Sequence, residues 1–147
     1  MKVITASPTY LPFLCQRLEY TPSALAVCIV ATEMDGTPVA GVIYDGYNGA
    51  SIQCHIWVGG KPHREWWAAI FDYPFHQLKV KKIIGQVREK NLEARKLDEH
   101  FGFHLEAKVA DYYEDGALLV YTMTPEQCRV LTRPEWASVV KRIRGEA

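Results

Sequence analysis

From Ser51 to Val58 the chain alternates in character. Ser51, Gln53, His55 and Trp57 interleave with Ile52, Cys54, Ile56 and Val58. A period of two sends one row to each face of a strand, so this stretch predicts a strand with a polar row and a greasy row. Two apolar, β-branched stretches precede it, Ala24 to Met34 and Val39 to Tyr44. Asp35-Gly36 between them is a hairpin signal, and Asp45-Gly46-Tyr47-Asn48-Gly49 supplies a second turn. The three stretches read as an antiparallel meander. Ahead of them, Lys2 to Ala6 predicts a short strand. Ser7-Pro8 then opens a helix with an N-cap and a proline at its first position. Leu11, Phe13, Leu14 and Leu18 give that helix its stripe, and Thr21-Pro22-Ser23 ends it.

After Gly59-Gly60-Lys61-Pro62-His63 the period changes. Trp67, Ile70, Phe71, Phe75 and Leu78 recur at helical spacing over Arg64 to Leu78, with Pro74 expected to kink or end the helix. Lys82 to Arg88 predicts a strand. Leu92 to about His100 predicts a helix with Asn91 as N-cap and Gly102 at its end. Phe103 to Ala110 and Ala117 to Met123 predict two more strands around the turn Glu114-Asp115-Gly116. Thr124-Pro125-Glu126-Gln127 reads as a capping box opening a helical tail, where Trp136, Val139, Val140 and Ile143 form a stripe. A helix joins the fourth and fifth strands, so those two should be parallel and the others mostly antiparallel. The expectation is an α/β (α+β) fold. Its sheet is mixed, six- to seven-stranded and mostly antiparallel, with helices on both faces. The whole of 1–147 forms one domain, its helical tail starting at about 124.

Composition narrows the function. In 147 residues, 17 Lys and Arg balance 17 Asp and Glu. That lacks the basic excess of a phosphate-neutralising nucleic-acid binder. Cys15, Cys28, Cys54 and Cys128 follow no C-x-x-C spacing and read as reduced thiols. His100 and His104 are separated by helix-breaking Gly102, so no metal site is expected. No stretch has the length of a membrane span, and the N-terminus shows no signal-peptide pattern, so a cytoplasmic protein is expected, with neither nucleic acid nor membrane as partner.

Gln86 to Phe103, Q-V-R-E-K-N-L-E-A-R-K-L-D-E-H-F-G-F, resembles the strand-to-helix segment of the GNAT superfamily of N-acetyltransferases. The resemblance rests on a short apolar strand, Asn91, Ala94 three residues on, and the closing Gly102-Phe103. The following L-E-A-K-V-A-D-Y-Y-E-D-G-A-L-L-V-Y-T-M is similar to the family's last hairpin, and the lysine-flanked Lys79 to Ile83 is nearest the ribosomal-protein N-acetyltransferase type. The resemblance covers roughly residues 24 to 123. It implies splayed parallel strands that take the pantetheine arm of acetyl-CoA as a cosubstrate, and an amine acceptor that attacks the thioester directly. It implies that Trp57, Val58, Gly59, Gly60, Lys61 and Arg64 border the CoA arm and pyrophosphate. Asn91 would bond the arm, and Arg95 would reach a phosphate. Separately, Trp66, Trp67 and Trp136 read first as core, with a subunit interface, and so a homodimer, as the second reading.

Two departures stand out. The family's phosphate loop is Arg or Gln, two residues, Gly, one residue, then Gly or Ala. Here a Trp, within His63-Arg64-Glu65-Trp66-Trp67-Ala68, stands near the expected Gly. The family's Tyr acid after the helix leucine is replaced by Asp98. An ionised Asp98 would oppose a departing thiolate, and only a buried, protonated one could assist it. A solvated helix-face aspartate is the expected reading. Tyr112 and Tyr113 are alternatives, expected to be ordinary strand residues. His55 is the candidate general base, on the polar row and ahead of the expected opening at Val58, with Glu33 and Glu114 behind it. Two functions follow. One is an N-acetyltransferase acting on a primary amine. The other is a non-catalytic GNAT-like protein that binds CoA or plays a structural or interaction role, as in some phages.

Overall fold

A computed structural model describes residues 2–146, and the seven expected strands join in one sheet. They are β1 (Lys2–Thr5), β2 (Val27–Glu33), β3 (Pro38–Asp45), β4 (Ser51–Val58), β5 (Lys82–Arg88), β6 (His104–Tyr113) and β7 (Gly116–Met123). Their order is β1-β2-β3-β4-β5-β7-β6. Only the β4–β5 pair is parallel among the described pairings.

Helix α1 (Leu11–Leu18) covers one face. Its Leu14 packs with Cys28, Val30 and Ile43, so close to β3 that a Cβ on Gly41 would lie 2.5 Å from a Leu14 methyl. On the other face lie α2 (Arg64–Asp72), α3 (Leu92–Phe101), α4 (Arg129–Thr132) and α5 (Ala137–Ile143). Trp66, Phe71, Phe101 and Val130 build the larger core there. Pro74 does not end the helical path after α2. Tyr73–Gln77 forms a π turn, with the Leu78 N–H donating to the Tyr73 carbonyl at 3.0 Å, a geometry that accommodates a residue without a donor.

Both predicted caps on α3 form. Asn91 Oδ1 accepts from the Ala94 N–H at 3.2 Å, and Gly102 closes the helix at φ 111. A Cβ on Gly102 would stand 2.0 Å from the Gln127 carbonyl oxygen. Gly102→Ala therefore combines a left-handed backbone with a backbone clash. Its expected cost is about 1–3 kcal/mol, read as a lower urea midpoint with an unchanged slope. The capping box at Thr124 and Gln127 also forms, which fixes the start of the tail against Gly102. No helix among the described residues is long and apolar enough to cross a membrane.

Candidate active site

β4 and β5 pair only through Ser51 with Lys82, Ile52 with Ile83 and Gln53 with Ile84. Beyond that point β4 continues against β3, and β5 continues against β7. The facing edges of Cys54–Val58 and Gly85–Arg88 part, leaving backbone groups without strand partners. A cleft of about 640 Å³ fills the gap. It opens earlier than the sequence suggested, beside Cys54 to Ile56 rather than at Val58, so His55 lies within the opening and not ahead of it.

Strand alternation gives the cleft two sides. Cys54, Gly85 and Val87 face α3, whose Ala94, Leu97 and Asp98 form that wall. His55, Gln86 and Arg88 face α1, whose end supplies Arg17 to Glu19, with Tyr20 following. The polar row of β4 is therefore not a solvated face. Trp57 packs edge-on against Phe13 at 5.1 Å, and His55 lies under the Tyr20 ring at 4.0 Å.

Tyr20 is anchored by its hydroxyl, which donates to Asp45 at 2.6 Å. Burial alone would push the Asp45 carboxyl up. Hydrogen bonds from the Ser23 hydroxyl and N–H, Tyr20 and the Gly46 N–H outweigh it and hold the carboxyl down at about 2. Asp45 is thus an anion at neutral pH, behind the Tyr20–His55 stack. Burial lowers the His55 pKa, and the Asp45 charge only partly offsets this. His55 is accordingly a neutral imidazole at pH 7. Its Nε2 is buried and has no hydrogen-bond partner among the described residues.

Asp98 corrects the sequence reading. It is not a solvated helix-face residue but 8% exposed, against the strand floor. Its Oδ2 lies 3.6 Å from where a Cβ on Gly85 would stand. Burial first, and the adjacent Glu99 carboxylate second, push it up to about 7. A substantial fraction therefore carries a proton at neutral pH, the condition under which an aspartate can donate. In the unfolded chain the same carboxyl titrates near ~3.9. Between those values the native state holds a proton that the unfolded state has released, so this group costs stability as pH rises from about 4 to 7. Asp98→Asn should remove that slope. Its stability relative to the wild type should rise by about 2–4 kcal/mol between pH 4 and pH 8 in parallel urea titrations.

The remaining candidates lie elsewhere. Trp57, Val58, Gly59, Gly60, Lys61, Arg64 and Arg95 do not line the cleft, whereas Asn91 does. The Gly59 and Gly60 N–H groups both donate to the Val39 carbonyl, at 2.9 and 3.0 Å, and so are not free for an anion. Arg64 is drawn to the tail, donating to the Glu135 carbonyl at 2.7 Å and stacking on Trp136 at 4.3 Å. Arg95 braces the turn before α3, donating to the Glu89 carbonyl at 3.0 Å. Trp66 does not obstruct the loop, being fully buried with its indole N–H on the Ile29 carbonyl. Glu33 pairs with Lys2 at the far edge, and neither Glu33 nor Glu114 lines the cleft.

Tyr112 and Tyr113 do line it, carried there by an irregularity in β6 where Asp111 takes φ 57. Sequence reading missed Arg17, Glu19, Tyr20 and Arg88. Only the position of Tyr20 just past the first helix hinted at its place. Among the described residues no group of three His, Cys, Asp or Glu side chains could hold a metal.

A splayed parallel pair inside this strand order, with a capped helix after the fifth strand, defines the GNAT fold. No family model matches the sequence, and no curated protein matches it. Solved structures match the fold. A mutant form of the spermidine/spermine N-acetyltransferase from Vibrio cholerae superposes with a TM-score of 0.70 at 16% identity, covering 91% of this chain and 99% of that one. The spermidine N-acetyltransferase from the same organism, in complex with CoA and spermine, gives 0.68 at 16% identity, covering 86% and 96%. A candidate phosphinothricin N-acetyltransferase gives 0.66 at 12% identity, covering 84% and 98%.

Proposed function

We propose that the protein is an acyl-CoA-dependent N-acyltransferase, moving acetyl from acetyl-CoA to a primary amine by direct attack. One observation carries the reading. The strand pair opens immediately after Gln53, with a neutral His55 on one side of the gap and a largely protonatable Asp98 on the other. The fold's neighbours include an acetyltransferase in complex with CoA and an amine, which supports the same chemistry.

The residues at the inner end suit a thioester arm. Free backbone edges of β4 can accept it as an added strand. The Asn91 amide, its oxygen already capping α3, keeps its N–H donors for it. The phosphate end is less well provided, since the Gly59 and Gly60 donors and Arg64 are engaged. Lys61 is the exposed cation left in that loop. Acetyl-CoA, when bound, supplies a thioester open to attack by an amine. His55 takes up the proton an attacking amine must lose, directly or through water. Asp98 holds a proton on the α3 side, where a leaving thiolate needs one. Tyr20, held by Asp45, keeps the imidazole in place. Four free cysteines suit a reducing compartment, and we place the protein in the cytoplasm.

The engaged phosphate loop favours a second reading, a GNAT-fold protein without turnover. Calorimetry with acetyl-CoA separates the two, followed by thiol release with an amine panel. The enzyme reading expects heat of binding and thiol release. Absence of both would remove it, and binding without release would favour the second reading.

A further inference from the structure

The α1 side of the cleft, the side that carries His55, is rimmed by two guanidinium groups. Arg17 comes from α1 and Arg88 from the far end of β5. Each is laid on an aromatic ring. The Arg17 Cζ lies 4.7 Å from the Phe13 centroid and the Arg88 Cζ lies 3.9 Å from that of Tyr113. Stacking fixes a guanidinium while leaving its edge N–H donors open for a planar, bidentate anion. Arg17 makes no ion pair among the described residues. Arg88 meets only Glu19, at 4.0 Å, and that carboxylate is 81% exposed. So loose a surface contact is worth little and gives way to a better-placed anion.

Among the described residues Glu19 is the one carboxylate on this rim, set against two guanidinium groups, and the other titratable groups nearby add no further negative charge to it. His55 is neutral, Asp45 is shielded behind Tyr20 and fully hydrogen-bonded, and Asp98 sits on the α3 side. Both arginines line the same cleft as His55, and the strand register gives the offset of Arg88. β5 pairs Ile84 with Gln53, so along the strands Arg88 lies about two residues past the level of His55. At ~3.3 Å per residue that is an offset of roughly 7 Å along the strand axis, with the width of the gap to be added across it.

Resting on the acyltransferase reading, we propose that the acceptor is an α-amino acid, its carboxylate held between Arg17 and Arg88 while its amine faces His55. Polycationic amines fit this entrance poorly, because two cations stand there against the single carboxylate of Glu19.

The test uses the full chain with acetyl-CoA and three acceptors: L-phenylalanine, L-phenylalaninamide and spermidine. Steady-state thiol release is measured for the wild type, Arg17→Gln and Arg88→Gln. The expected result is that each substitution raises KM for L-phenylalanine about tenfold to a hundredfold, and raises it far less for the amide, with spermidine a poor acceptor throughout. The comparison across variants cancels the difference in basicity between the acid and its amide. Equal effects on acid and amide would overturn the proposal, as would spermidine serving best with its KM lowered by either substitution. Failure of the underlying reading looks different: no heat with acetyl-CoA and no thiol from any amine. Thermal melts of both variants guard against misfolding, which would depress kcat for all acceptors alike instead of raising KM for one.

Discussion

In His55→Ala, acetyl transfer is expected to fall by about 10²–10⁴-fold, with acetyl-CoA binding little changed. In the proposed mechanism the imidazole acts on the amine and not on the cosubstrate, so calorimetry should separate the two effects. The pH profile gives the sharper test. In the wild type, activity should rise as His55 loses its proton, below its ordinary value of ~6.5 because burial lowers it. Activity should fall again as Asp98 loses its own proton through about 7. The product is a narrow bell on the acid side of neutrality. His55→Ala should lose the ascending limb and keep the descending one. Asp98→Asn should do the reverse, because an amide cannot ionise. A wild-type rate that keeps climbing to pH 9 would remove Asp98 from the acid role.

The second large effect concerns space. Ala94 lines the cleft on its α3 side, and its backbone N–H is already capped by Asn91. Ala94→Trp leaves that cap intact and fills the gap with a ring. Affinity for acetyl-CoA is expected to fall about a hundredfold or more, roughly 3 kcal/mol, with only a small change in melting temperature. Unaltered binding in this variant would place the cosubstrate outside the cleft.

Much of the fold could be read from local pattern. β4 runs from Ser51 to Val58 and β5 from Lys82 to Arg88, as alternation and flanking breaks indicated. The caps at Asn91, Gly102 and Thr124 form because each satisfies backbone groups within a few residues. What stayed hidden depends on distant partners. Nothing near Gly59-Gly60 says that both N–H groups turn to Val39. Nothing near Arg64 announces Trp136, far along the chain. Asp98 shares a helix with charged neighbours and looks solvated until Gly85, which has no side chain, lets it settle onto the strand. β6 runs past its expected end at Ala110 to Tyr113, through a register shift at a left-handed Asp111 that no alternation rule anticipates. The opening itself was legible only as an implication of resemblance.

Amide hydrogen exchange with and without acetyl-CoA addresses the gap directly. Within residues 54–58 and 85–88, the amides that point into the gap and not to β3 or β7 should exchange readily in the free protein and become protected on adding acetyl-CoA, while β1 and β2 stay unchanged. Protection already complete before the cosubstrate is added, or protection arising only at the outer strands, would mean that these edges never receive the thioester.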